Sequence, residues 1–120
     1  MSTVKANDIT NVAGSIPTVK GQQLIPTAWV NFNGTGTVAI RDSEGVSSIG
    51  DNGTGDYYVN FTTAMADINY AVALGGNGGS AGILGASTST TTSVRLYQHS
   101  YAGTQTDVGY NNVVILGGQA

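Results

Sequence analysis

Five groups of residues in this chain have types and spacings that invite a chemical reading. Ser80 stands in Gly78-Gly79-Ser80-Ala81-Gly82, the G-x-S-x-G spacing that lifts a nucleophilic hydroxyl onto a sharp strand-to-helix turn. Such a serine needs a histidine base and an orienting acid. No helix-forming stretch follows Ser80, and no acid lies between it and His99, so the match is read as a product of glycine-rich composition. The overlapping run Gly76-Asn77-Gly78-Gly79-Ser80-Ala81 fits G-x-G-x-x-A. A dinucleotide site also needs a helix N-terminus under the pyrophosphate and an acid about 20 residues on, and the sequence offers neither. His99 is the only histidine, so a metal site built on it would need copies brought together on a threefold axis. Asp51 and Asp56 flank a glycine-rich turn without the ligand spacing of a calcium loop. A glycosidase needs two carboxylates flanking a cleft. Asp42, Glu44, Asp51 and Asp56 fall instead in expected turns, where Asp is favoured on conformational grounds alone. The expectation is a chain that is not an enzyme, with no catalytic residue, no metal and no cofactor.

The remaining chemistry is recognition. Aromatic side chains offer a large apolar face with a polar edge and dominate contact surfaces. Trp29, Tyr97, Tyr101 and Tyr110 are the candidates for contact with a sugar or a partner, together with Asn77 in the loop Gly75-Gly76-Asn77-Gly78-Gly79. Tyr101 and Tyr110 lie in a polar stretch between the last two expected strands, where recognition residues tend to sit. For Trp29 and Tyr97, packing in the core or between subunits is an equally good reading.

The elements that must position these residues are strands. Charged residues make up only 9% of the chain, against roughly 25% in an ordinary soluble domain. Glycine, serine, threonine and asparagine fill the surface instead, which favours turns and strands over helices. A surface this poor in charge also suits packing against copies of itself, since few charges would be desolvated. The formal charge is −3, with four scattered basic residues, Lys5, Lys20, Arg41 and Arg95, which argues against binding nucleic acid. Cysteine is absent, so neither disulfides nor thiolate metal sites enter. No apolar run is long enough to span a bilayer, and the N-terminal residues lack the apolar core of a secretory signal.

Residues 1–27 hold both prolines, Pro17 and Pro26, and apolar residues at irregular spacing. They are read as an extended arm that anchors to a partner, with Val4, Ile9 and Val12 as anchoring residues. From Ala28 the pattern becomes short alternating strands. Val30 and Phe32 share one face, as do Val38 and Ile40, then Tyr57, Val59 and Phe61, then Tyr70, Val72 and Leu74, then Val94 and Leu96. Asn33-Gly34 and Asn52-Gly53 are hairpin signals of the type I′ kind. Val113, Val114, Ile115 and Leu116 are apolar on both faces, as in a central strand or one sandwiched between subunits. These four are the candidates for a subunit seam. About seven or eight short strands with turn signals between them predict an all-β domain over residues 28–120, an antiparallel β-sandwich.

Ala-Trp-Val-Asn-Phe-Asn-Gly-Thr-Gly-Thr-Val-Ala-Ile-Arg-Asp-Ser, residues 28–43, resembles a stretch common in tail fibre and other virion proteins of bacteriophages. So does Val-Ser-Ser-Ile-Gly-Asp-Asn-Gly-Thr-Gly-Asp-Tyr-Tyr-Val-Asn-Phe-Thr-Thr-Ala-Met, residues 46–65. The family usually carries Lys before the Ala-Trp and a bulkier pair at positions 44–45, so Thr27 and Gly45 depart from its pattern. Residues 4–18 look like the short lead-in by which some fibre subunits dock. The resemblance implies a virion structural protein assembled in the host cytoplasm. It would be a homotrimeric tail fibre subunit joined to other tail or capsid proteins through the arm, and it would contact a host-surface glycan or protein. A capsid decoration protein of the same fold is the first rival, and a small glycan-acting enzyme the second.

Overall fold

Strict alternation of apolar and polar residues turns one side chain inward and the next outward along a strand, and that alternation shapes most of this chain. A computed structural model describes residues 3, 5–7, 9–10, 12, 16–76, 83–100 and 102–118. Among them are ten strands and no helix. Two very short strands, β1 (Thr18–Val19) and β2 (Gln22–Gln23), form a ribbon within the arm. The other eight are β3 (Ala28–Asn33), β4 (Ala39–Glu44), β5 (Val46–Gly53), β6 (Asp56–Phe61), β7 (Ala71–Gly76), β8 (Ile83–Ser89), β9 (Ser93–His99) and β10 (Asn111–Leu116). They make two four-stranded sheets, β4-β3-β10-β7 and β5-β6-β9-β8, with every neighbouring pair antiparallel. The fold is the expected all-β sandwich.

The inner faces meet in one core. Ala28, Val30 and Phe32 of β3, with Val113 and Ile115 of β10, pack against Tyr57, Val59 and Phe61 of β6 and Val94 and Leu96 of β9. The inward residues read from alternation are buried or packed on this core, including Val38, Ile40, Val72 and Leu74 at its margin. Phe32 and Tyr57 bring their rings edge to face at 5.3 Å, and Phe61 and Tyr70 do the same at 5.5 Å. Edge-to-face contact sets the positive rim of one ring against the negative face of the other.

Both Asn-Gly hairpins differ from expectation. A type I′ turn would place Asn33 and Gly34 in left-handed backbone, but the positive φ in this connection belongs to Gly36, at 58°. β3 continues through Asn33, and residues 34–38 form a longer loop. The Asn33 carboxamide organises it by accepting hydrogen bonds from the Thr35 amide and hydroxyl at 3.1 and 2.7 Å. An asparagine that folds its side chain back onto the backbone in this way replaces the backbone turn. In the second case Asn52 and Gly53 belong to β5, Gly53 pairs with Asp56, and the bend falls on Thr54 and Gly55.

The switch between sheets is abrupt. β4 ends at Glu44, β5 begins at Val46, and Gly45 alone joins them with φ at 72°. A Cβ on Gly45 would lie 2.9 Å from the Thr27 carbonyl oxygen. Thr27 and Gly45 therefore meet in space.

Candidate functional site

Antiparallel pairing sorts the connections into two ends. Asn33, Gly76 and Asn111 close one end of the first sheet, and Gly53, Asp56, Ile83 and His99 close the same end of the second. Connections β3–β4, β5–β6, β7–β8 and β9–β10 therefore emerge together. The arm enters β3 at the opposite end, where Thr27 donates its amide to the Ile115 carbonyl at 2.8 Å and its hydroxyl to the Gly117 carbonyl at 2.7 Å. Gln23 Oε1 accepts the Gly117 amide there at 2.7 Å. Arm and C-terminal segment are thus fastened to each other at one end, and four loops lie at the other.

A hydrogen-bond network holds this loop end. The Gly34 amide donates to the Val108 carbonyl at 3.0 Å, the Gln98 amide to the Gly55 carbonyl at 2.8 Å, and the Thr106 amide to the Gln98 carbonyl at 3.0 Å. Asp107 Oδ1 accepts from the Gly55 amide at 2.8 Å and lies 2.9 Å from the Tyr57 hydroxyl, which also reaches the Gly34 carbonyl at 3.0 Å. Burial, reinforced by the Asp107 carboxylate, pushes the Tyr57 phenol well above its ordinary range, so it stays a protonated donor. Val108 is buried and fixes the middle of the long β9–β10 connection. Gln98 and Asn111 turn inward beneath the loops, and the Asn111 amide donates to the Val108 carbonyl at 2.8 Å. These bonds tie the β3–β4, β5–β6 and β9–β10 connections to one another and to both sheets.

Asp56 anchors the β5–β6 bend. Arg95 grips its two carboxylate oxygens through Nε at 2.9 Å and Nη2 at 2.6 Å, and Asn52 donates to Oδ2 at 2.9 Å. The Arg95 hydrogen bonds hold the Asp56 carboxyl below its ordinary value of 3.8, burial opposes the shift, and the Asn52 amide adds to it. A carboxyl lowered by folding adds stability that is complete above the unfolded value and is lost as pH falls through the folded one. The urea midpoint is therefore expected to drop on acidification below about pH 4. Asp56→Asn should be less stable at pH 7 and shallower in this acid limb; an unchanged acid limb in the variant would remove Asp56 from the account.

The expected contact residues do not gather in one place. Tyr110 is half exposed at the loop end, with the Arg41 guanidinium 4.1 Å from its ring centroid. Asn77 and Tyr101 fall outside the described residues, as do Val4 and the Ser80 motif. Trp29 lies towards the arm end, on the outer face of the first sheet, paired with Glu44 on one side and Val114 on the other. Tyr97 points outward from β9 on the second sheet. His99 is the last residue of β9.

The four seam candidates divide by parity. Val113 and Ile115 are consumed by the chain's own core, at 1% and 0% exposure, whereas Val114 is half buried and Leu116 is 46% exposed on the outer face. Val114 pairs with Trp29 and with Ala73, and Leu116 pairs with Ala71. A residue proposed for receptor contact thus shares an apolar outer patch with two proposed for subunit contact. Of the candidate anchoring residues that are described, Ile9 is 60% exposed and Val12 fully exposed.

Sequence reading missed Asp107, whose partners stand some fifty positions earlier, so no local signal marks it. It also missed Tyr58 and Arg95, directly paired on the outer face of the second sheet. Alternation could have found them, because Tyr58 and Tyr97 fall on the polar phase of strands whose inward residues were identified. Among the described residues no group of three or more His, Asp or Glu is placed to hold a metal ion. Compared with known protein families, curated proteins and solved structures, the chain matches none.

Proposed function

We propose that this protein is a structural component of a bacteriophage virion, a homotrimeric tail fibre subunit that is anchored by its arm and adheres to the host surface through its loop end. The observation that carries this reading is the polarity of the sandwich. The arm and the C-terminal segment are bonded together at one end, and four connections emerge at the other. An attached subunit needs one end for the particle and the opposite end for the target. The outer patch of Trp29, Val114 and Leu116 supports self-association, because it leaves apolar side chains on the outer face of the first sheet. Weak contacts at each tip would add through multivalency, since several tips engage one surface at once.

Intact virions labelled with antibody against this protein are the test. Label at the tail is the expected result. Label spread over the head would replace the fibre reading with a capsid decoration protein, and unlabelled virions would end both.

A further inference from the structure

The outer face of the second sheet carries a line of side chains unlike the rest of the surface. Tyr58 on β6 stands directly opposite Arg95 on β9, and Tyr97 and His99 follow Arg95 along the same face. The Arg95 guanidinium carbon lies 5.3 Å from the Tyr58 ring centroid and 4.9 Å from that of Tyr97, and the Tyr97 and His99 rings are 6.1 Å apart. All four side chains are only half buried. The position opposite Tyr58 on edge strand β5 is Gly50, and the position opposite Tyr97 on edge strand β8 is Gly85. A Cβ on Gly85 would meet nothing within 4 Å. Glycine at these two places leaves the outer flanks of both rings without a cross-strand side chain.

We infer that the strip Tyr58–Arg95–Tyr97–His99 is a binding platform for a neutral glycan chain. Pyranose rings present faces of C–H groups whose partial positive charge is drawn to the negative face of an aromatic ring. Rings cleared of neighbours at their flanks admit an extended chain lying along the strand. Arg95 spends Nε and Nη2 on Asp56, and its remaining N–H groups can donate to sugar hydroxyls. The bidentate pair with Asp56 cancels the guanidinium charge at short range, and the whole chain is net negative. This charge balance selects a neutral sugar over an acidic one. β9 ends at His99, so the strip runs directly into the loop end. A glycan on the platform would therefore continue towards the β9–β10 connection. The inference deepens the adhesion reading and rests on it for its biological setting.

Purified full-length protein, isotopically labelled for NMR, tests it. The probes are neutral hexasaccharides of glucose, galactose, mannose, rhamnose and N-acetylglucosamine, with hexagalacturonate as the acidic counterpart. At least one neutral probe is expected to shift the ring resonances of Tyr58 and Tyr97 and the Nε resonance of Arg95. Tyr97→Ala is expected to weaken that binding about tenfold, the scale of one good ring contact. Gly85→Val retains every platform side chain, its Cβ meets nothing within 4 Å, and it should weaken binding by shielding Tyr97. If no neutral probe shifts these resonances, or only hexagalacturonate does, the platform is refuted. Binding that survives both substitutions refutes it as well. Virion labelling reads the adhesion proposal separately: tail label without glycan binding would leave the fibre standing and remove the platform, and the reverse result would do the opposite.

Discussion

Gly55→Ala is expected to be among the most damaging single changes in the sandwich, lowering stability by about 3 kcal/mol or more. Gly55 has φ at 65°, a region that costs an L-residue roughly 1–2 kcal/mol. Its Cβ would also lie 2.5 Å from the Gln98 carbonyl oxygen and 2.8 Å from both the amide nitrogen and the carbonyl oxygen of Thr106. These are backbone atoms, so no side chain can swing aside, and the bend or the start of the β9–β10 connection must move. Gly36 is the control, with φ at 58° and nothing within 4 Å of a built Cβ. Gly36→Ala carries the conformational cost alone, about 1–2 kcal/mol. Urea denaturation of the two variants separates the terms. Equal midpoints would mean that the approach of Gly55 to strand β9 contributes nothing.

The second large effect is expected at Phe32. Its side chain is completely buried and stands edge to face with Tyr57 across the two sheets. Truncation to alanine removes the burial of a whole ring and leaves a cavity between layers that cannot fully collapse, at a cost of about 3–5 kcal/mol. Small domains have roughly 5–15 kcal/mol in total, so Phe32→Ala should be partly unfolded at moderate temperature. Phe32→Leu keeps most of the volume and should cost about 1.5 kcal/mol or less. Thermal melts monitored by circular dichroism give the order wild type, Phe32→Leu, Phe32→Ala. A Phe32→Ala melt close to wild type would show that the inter-sheet core lies elsewhere.

The strands were legible because their signal is local. Val30 and Phe32, Tyr57 and Val59, and Val94 and Leu96 alternate with polar neighbours, and burial follows that phase. The turns were less legible, since Asn-Gly is a statement about two residues while the bend depends on where the ladder stops. Asn33 gives its side chain to Thr35, and β5 carries its pairing past Asn52 to Gly53. β10 shows a different limit. A strand apolar on both faces does not reveal which face meets the chain's own core. The register decides that, sending Val113 and Ile115 inward and Val114 and Leu116 outward. The loop end was out of reach for the same reason, because the partners Gly34, Tyr57 and Asp107 are distant in sequence and meet only once the two sheets have closed.

Fastening the arm and the C-terminal segment at one end has a mechanical consequence. Tension between the arm and the opposite loops runs along β3, which is paired on one side with β10 and on the other with β4. Ladder hydrogen bonds lie across the strand direction, so such a pull slides β3 past its neighbours. Sliding strains the bonds from Ala28 to Phe32 against β10 together, whereas peeling would break them one at a time. The sandwich is built to carry load along its length and to yield most easily when an edge strand is pulled sideways.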